Sequence, residues 1–209
     1  MTILALEFSS DRRSVALARD GVVLAEAVEQ TGGRATRAFG LIETVLTEGK
    51  VAREAVEVIA VGLGPGSYTG IRAAIAVAQG WQLARGVKLL GVGSLEALAA
   101  QAQAEKIFGR VNVVVDAQRG EFYLGAWEIS ADTRVEASPL RIVTATEMAA
   151  LAGVAGTGIG PAAERVMYPG AAMVARLAAG RRDYVPGAGL QPIYLRETAF
   201  VKAPVTRQL

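Results

Sequence analysis

Val61-Gly62-Leu63-Gly64-Pro65-Gly66-Ser67-Tyr68-Thr69-Gly70-Ile71-Arg72 is the stretch around which the rest of the chain is organised. Just before and into it, Val56-Glu57-Val58-Ile59-Ala60-Val61 is a short β-branched run that reads as a buried strand. After it, Ala73 to Arg85 holds five alanines and no proline, which predicts a helix. Gly64, Gly66 and Gly70, with Pro65 setting a turn, make a sharp strand-to-helix corner of bare backbone. Such a corner suits close approach by a phosphate or by another polypeptide. Spacing alone names no nucleotide motif. Gly70 is followed by Ile71 and Arg72 where a P-loop needs Lys-Ser/Thr, and Pro65 removes an amide that an anion would use. On spacing, the corner is a tight turn with Thr69 near the helix N-cap.

The chain opens with Ile3-Leu4-Ala5-Leu6, a polar turn from Glu7 to Arg13, and Ser14-Val15-Ala16-Leu17-Ala18, which read as a hairpin. Asp20-Gly21 is a two-residue turn signal leading to a third strand, Val22 to Val28. Thr31-Gly32-Gly33 is a loop. Ala38, Leu41, Ile42, Val45 and Leu46 then recur at helical spacing, with Gly49 as the stop. Beyond the corner and its helix come a strand, Val87 to Val92, and a helix from Leu95 to Ala104 capped by Ser94. Around Ala104 to Arg110 the pattern restarts. Val111 to Val115 is a buried strand, Asp116 to Gly120 a turn, and Glu121 to Trp127 its partner. Each half thus begins with a hairpin whose first strand ends in an acid, Glu7 and then Asp116. A duplicated unit and two unrelated hairpins, each with a polar turn, both fit this. Thereafter Pro139 to Val143 reads as a strand, Thr146 to Leu151 as a short helix, Gly153 to Pro161 as a short strand and glycine loop, and Ala171 to Gly180 as a small helix.

With 209 residues, 52% of them hydrophobic, the chain can bury a core without disulfides. Lys plus Arg is 22 against 20 for Asp plus Glu, and a net charge of +2 is too small for an electrostatic footprint on nucleic acid. Arg12-Arg13 and Arg181-Arg182 read as solvated loop charges. The chain contains no cysteine and no histidine. Their absence excludes Ser-His and Cys-His catalysis, thiolate or imidazole metal ligation, and an imidazole proton shuttle. The N-terminus lacks the basic start of a signal peptide, and Ile71 to Leu90 is too interrupted by polar residues to span a membrane. The chain reads as cytoplasmic.

Gly64-Pro65-Gly66-Ser67-Tyr68-Thr69-Gly70-Ile71-Arg72 resembles the signature of the TsaB family, bacterial proteins of tRNA threonylcarbamoyladenosine modification. Further stretches resemble the same family. They are Leu6-Glu7-Phe8-Ser9-Ser10, with Glu for the family's Asp; Asp116 to Tyr123; Gly153 to Pro161; and Gln191-Pro192-Ile193-Tyr194-Leu195-Arg196. Arg34 stands where many members carry a histidine. The resemblance implies an α/β actin-like ATPase (ribonuclease H-like) fold of two βββαβα-type subdomains with mixed sheets, residues 1–104 and 105–209. It further implies a non-catalytic subunit that supports a larger paralogue, TsaD, whose histidine-held metal centre forms N6-threonylcarbamoyladenosine next to the tRNA anticodon. TsaE, a small ATPase, joins them. The chain alone would be a homodimer, meet tRNA only through the complex, and stay off membranes. Labels of peptidase activity for such proteins follow the paralogue.

The alternative is an actin-like ATPase or sugar-kinase-type phosphotransferase holding Mg-ATP between the subdomains. Its candidate cofactor residues are Glu7, Ser9, Asp116, Gly156 and Gly158. Against it, the turn Ser9-Ser10-Asp11-Arg12-Arg13 has no glycine to wrap a phosphate. The expectation is no cofactor in the isolated chain, with at most weak Mg-ATP binding.

Wound at about 100° per residue, Gly70 to Arg85 has one side without polar side chains, holding Leu83, Ala76, Gly80, Ala73, Ala84, Val77, Gly70, Trp81 and Ala74. That side is expected to pack on the sheet. The other side places Ile71, Ile75 and Ala78 among Arg72, Gln79, Gln82 and Arg85, the pattern of an interface core with a polar rim. Scattered surface isoleucines are the plainer reading. The resemblance implies pairing through the first two long helices. The expected partner interface is therefore Phe39, Ile42, Leu46, Ile71, Arg72, Ile75, Ala78, Gln79 and Gln82.

Overall fold

Hydrophobic strands paired both antiparallel and parallel, and two repeated hairpins, generate two five-stranded mixed sheets in the computed structural model, which describes residues 1–30, 37–151 and 156–195. In the first half, β1 (Thr2–Glu7), β2 (Arg12–Arg19) and β3 (Val22–Gln30) form an antiparallel meander. α1 (Ala38–Glu48), β4 (Val58–Gly62), α2 (Tyr68–Arg85), β5 (Lys88–Val92) and α3 (Ser94–Ala104) follow. The sheet order is β3-β2-β1-β4-β5, with β4 parallel to β1 and β5 parallel to β4. The second half repeats this plan. β6 (Gly109–Gln118), β7 (Glu121–Ile129) and β8 (Arg134–Thr144) are the meander, then come α4 (Ala145–Leu151), β9 (Thr157–Gly160), β10 (Arg165–Val166) and α5 (Ala171–Ala179). Its sheet order, β8-β7-β6-β9-β10, matches the first strand for strand. The duplicated α/β architecture expected of an actin-like fold is therefore present. The second half has only a short turn between β9 and β10, where the first half has α2.

The halves are locked by an exchange of helices. α1 and α2 cover one face of the first sheet, burying Ile42, Val45, Ile71, Ala74, Ile75 and Ala78 against Leu4, Leu6, Phe8, Ile59 and Val61. Its other face, Ile3, Ala5, Ala16, Ala60 and Leu90, is covered by Val174, Ala175 and Ala178 of α5, which lies within the 105–209 range by sequence. α3 in turn packs Leu95, Leu98, Ala99 and Ala102 on Val111, Val113 and Val115 of the second sheet. Each fully buried Val, Leu or Ile side chain among these contributes roughly 1.5–3 kcal/mol. α5 has no capping side chain of its own. Its first amides are instead satisfied from three other elements: Gly170 N by Gln101 Oε1 at 2.8 Å, Ala171 N by Ser14 Oγ at 2.8 Å, and Ala172 N by Glu26 Oε1 at 3.1 Å. These bonds fix the returning helix on the first sheet.

Several local expectations need correction. The N-cap of α2 is Ser67, whose hydroxyl accepts from Gly70 N, and not Thr69. Ser94 opens α3 but makes no capping bond, because its hydroxyl is committed elsewhere. Arg13 is buried in β2, where sequence alone suggested a solvated loop. Arg181 is held by Asp183 with Nε to Oδ1 at 3.0 Å, and this pairing lowers the Asp183 carboxyl to about 2. The expectations for Thr31-Gly32-Gly33, Arg34, residues 153–155 and Arg196 lie outside the described residues.

Candidate functional site

The glycine corner is closed by the chain itself. Ser67 N donates to Ser9 O at 2.7 Å, which draws the start of α2 onto the β1–β2 turn. A Cβ at Gly66 would collide with Ser9 O, and one at Gly70 with Phe8 O. Bare backbone is therefore required here for packing between residues far apart in sequence. That occupied space is where a phosphate would otherwise approach.

Glu7 sits behind the corner with no solvent exposure. Its Oε1 accepts from Ser9 N at 2.8 Å and its Oε2 from Ser94 Oγ at 2.8 Å. Ser94 Oγ in turn accepts from Gly64 N at 3.0 Å, so one carboxyl ties together the β1–β2 turn, the corner and the start of α3. Gly62 lies against the carboxyl so closely that a Cβ there would overlap Oε2. Burial raises the Glu7 pKa, and the hydrogen bonds from Ser9 and Ser94 oppose but do not cancel the rise. Asp116 repeats the local motif in a different setting. Its Oδ1 accepts from Gln118 N at 2.7 Å, as Glu7 accepts from Ser9 N, but Asp116 is exposed. Gly156 and Gly158 line a cavity of about 270 Å³ with Arg110, Asn112 and Arg141 on the second sheet. Glu7, Ser9 and Asp116 are not among the residues lining it. The structure thus joins Glu7 to Ser9 and leaves Asp116, Gly156 and Gly158 in other surroundings.

α2 is turned about its axis relative to the sequence expectation: Gly70 and Ala74 are buried as expected, but most of the side without polar residues is not. Ile71, Ile75 and Ala78 are buried in the chain's own core, as are Ile42 and Leu46 of α1. They cannot form an exposed strip. The rest of the side without polar residues faces outward or lies half-buried, as Trp81 does. Ala76, Gly80 and Ala84 are exposed, Ala73 and Val77 are half-buried, and Leu83 is 91% exposed. The physical reason is volume: the isoleucines fill the space over β1 and β4, while alanines and glycines lose little by facing water. Phe39, Arg72 and Gln79 are exposed, as the interface reading requires. Gln79 and Gln82 are not an idle rim, because both bind Gly187 of the C-terminal segment. Leu83, Ala76, Gly80 and Ala84 were missed as surface residues. Their signal was the lack of any polar neighbour on their side, which fits a covered outer face as well as a core.

The family model described as "TsaD: tRNA N6-adenosine threonylcarbamoyltransferase" matches residues 20–197. The "tRNA threonylcarbamoyladenosine biosynthesis protein TsaB" of Escherichia coli (strain K12) is 32% identical over 128 residues, covering 61% of this chain and 55% of that protein. The protein of the same name from Bacillus subtilis (strain 168) is 32% identical over 129 residues, covering 61% of this chain and 56% of that one. The chain thus spans about half the length of the curated relatives it matches. Among solved structures, "an uncharacterized protein with similarity to peptidase YEAZ" from Pseudomonas aeruginosa superposes with a TM-score of 0.80 at 30% identity, over 93% of this chain and 99% of that one. YeaZ from Pseudomonas aeruginosa gives 0.79 at 28% identity over the same shares.

Proposed function

Because the chain belongs to the family described as TsaD: tRNA N6-adenosine threonylcarbamoyltransferase, and its named curated relatives are TsaB proteins, we propose that it is a non-catalytic partner subunit of a tRNA threonylcarbamoyltransferase complex. It docks on the larger TsaD paralogue and supports it, pairs with a second copy of itself when alone, and reaches tRNA only through the complex. The small ATPase TsaE joins the assembly, which works in the cytoplasm. The observation that carries this reading is the outward face of α2. Along a stripe of Ala73, Ala76, Gly80 and Ala84, small side chains let another helix approach closely, and Leu83, 91% exposed, is a large apolar side chain left in water. Phe39 on α1 is another exposed large apolar side chain.

Chemistry supports the non-catalytic part. A chain with no histidine and no cysteine cannot hold the imidazole-ligated metal of the paralogue. The phosphotransferase alternative is not favoured, because the corner glycines are occupied by the chain's own Ser9 and Phe8 carbonyls. Mg-ATP accordingly binds the isolated chain weakly or not at all. Among the described residues, no helix is long and apolar enough to cross a membrane. The test is affinity purification from the native host. The TsaD-family paralogue should co-elute in stoichiometric amount, and its absence from a monodisperse, folded preparation would contradict the reading.

A further inference from the structure

After α5 the chain returns across the first sheet as a strap. Val185 N donates to Leu89 O at 2.9 Å, Gln79 Nε2 to Gly187 O at 2.8 Å, and Gly187 N to Gln82 Oε1 at 2.8 Å. Ile193 N then donates to Leu63 O at 2.9 Å, so the strap runs antiparallel to α2 and reaches the corner where that helix begins. There the ring of Tyr194 lies 5.0 Å from that of Tyr68, tilted by 53°. Arg72, one turn into α2, sits 5.2 Å from the Tyr68 ring centroid, and its Nη1 donates to Tyr68 Oη at 2.7 Å. Tyr68 is 48% and Tyr194 47% exposed, and Arg72 is exposed. α2 contains no acidic residue, and among the described residues no carboxylate pairs with Arg72.

We propose that this strap completes the docking surface for the paralogous subunit, with Tyr68, Arg72 and Tyr194 as an anchor that receives an acidic side chain of that partner. The proposal rests on the reading of α2 given above and adds a second chain segment to it. Three arguments carry it. Arg72 lies on the same outward face as Ala76, a turn apart, so a partner seated on the stripe meets the cluster at its end. Arg72 is a solvent-facing cation with no acid paired to it among the described residues, complementary to a carboxylate and not to a further apolar residue. Finally, the guanidinium is already held by a ring and a hydroxyl, so little rotamer freedom remains to be lost on binding, and Tyr and Arg are the residue types that dominate interface energetics. A single cation with two rings is a poor match for an RNA strand, whose binding grows with the number of phosphates neutralised.

The experiment is a calorimetric titration of the full chain with the purified TsaD-family paralogue from the same genome, with melting curves of each variant. Tyr194→Ala and Arg72→Ala should each weaken the complex roughly tenfold or more, the effect of losing an interface anchor. Tyr194→Phe should bind like the parent, because the ring is what the cluster uses. If Tyr194→Ala melts early, the exposed Arg72→Ala decides the matter. Unchanged affinity in both alanine variants, with Leu83→Glu still abolishing the complex, overturns this proposal and leaves the α2 reading intact. If Leu83→Glu also binds normally, the α2 reading fails and this one with it. Unchanged protein affinity with loss of tRNA crosslinking to the reconstituted complex would assign the cluster to RNA and overturn the proposal.

Discussion

Replacing Ile75 by glutamate separates the two orientations of α2. Ile75 is only 6% exposed and packs in the core between α2 and the first sheet. Removing such a side chain costs about 2–5 kcal/mol in lost burial and cavity formation. The introduced carboxyl must either stay charged in an apolar site or take up a proton. A rise of its pKa from about 4 to about 7 is worth roughly 4 kcal/mol at neutral pH. The sum, roughly 6–9 kcal/mol, is comparable with the whole stability of a domain, about 5–15 kcal/mol. Ile75→Glu should therefore be largely unfolded or lose most of its urea midpoint at pH 7, and recover in part near pH 5, where the new carboxyl is neutral. Leu83→Glu is the matched control. At 91% exposure Leu83 buries almost nothing in the free chain, so its replacement should change stability by no more than about 0.5 kcal/mol. Circular dichroism during urea titration reads both. A folded Ile75→Glu with an unchanged midpoint, or a Leu83→Glu that unfolds, would refute the orientation and every inference drawn from the outer face.

Three further outcomes follow from the site. Because burial raises the Glu7 pKa, the folded chain binds that proton more tightly than the unfolded one, and the stability this contributes is complete below the ordinary glutamate range. It is lost as pH rises through the raised folded value, so the stability of the parent relative to Glu7→Gln should fall with increasing pH above about 4.3, and a constant gap in urea melts would contradict this. Ser94→Ala removes the donor to Glu7 and the acceptor for Gly64 N, and should cost about 1–3 kcal/mol while pushing the Glu7 carboxyl further up. Titration of the isolated chain with Mg-ATP should show no tight binding, and micromolar affinity abolished by Asp116→Ala would revive the phosphotransferase reading.

Much of the architecture was legible because its signals are local. Glu7 at the end of β1 and Asp116 near the end of β6, the Asp20-Gly21 turn and the restart around Ala104 to Arg110 lie within a few residues of the elements they define. The side chains of Glu7 and Asp116 also show why a motif underdetermines its site. Both accept the amide two residues on, yet one is sealed inside and the other is open to water. The rotation of α2 has a different cause. A helix rich in Ala and Gly has little contrast between its faces, so in the sequence its polar residues are the outward marker. Gln79 and Gln82 in fact lie on a flank and serve the strap, a contact with Gly187 that no local pattern can reveal. The closed corner was illegible for the same reason, since Gly66 and Gly70 answer to Ser9 and Phe8. So was the exchange of α3 and α5 between sheets, because helix composition does not say which sheet is covered.

The central claim is that the outward face of α2 joins this chain to the catalytic paralogue. Sedimentation velocity of the purified TsaD-family protein, mixed in turn with the parent chain and with Leu83→Glu, tests it most directly. The account predicts a faster-sedimenting heterocomplex with the parent and two separate, folded species with the variant. A heterocomplex that forms equally with Leu83→Glu, or no complex with the parent at micromolar concentration, would contradict it.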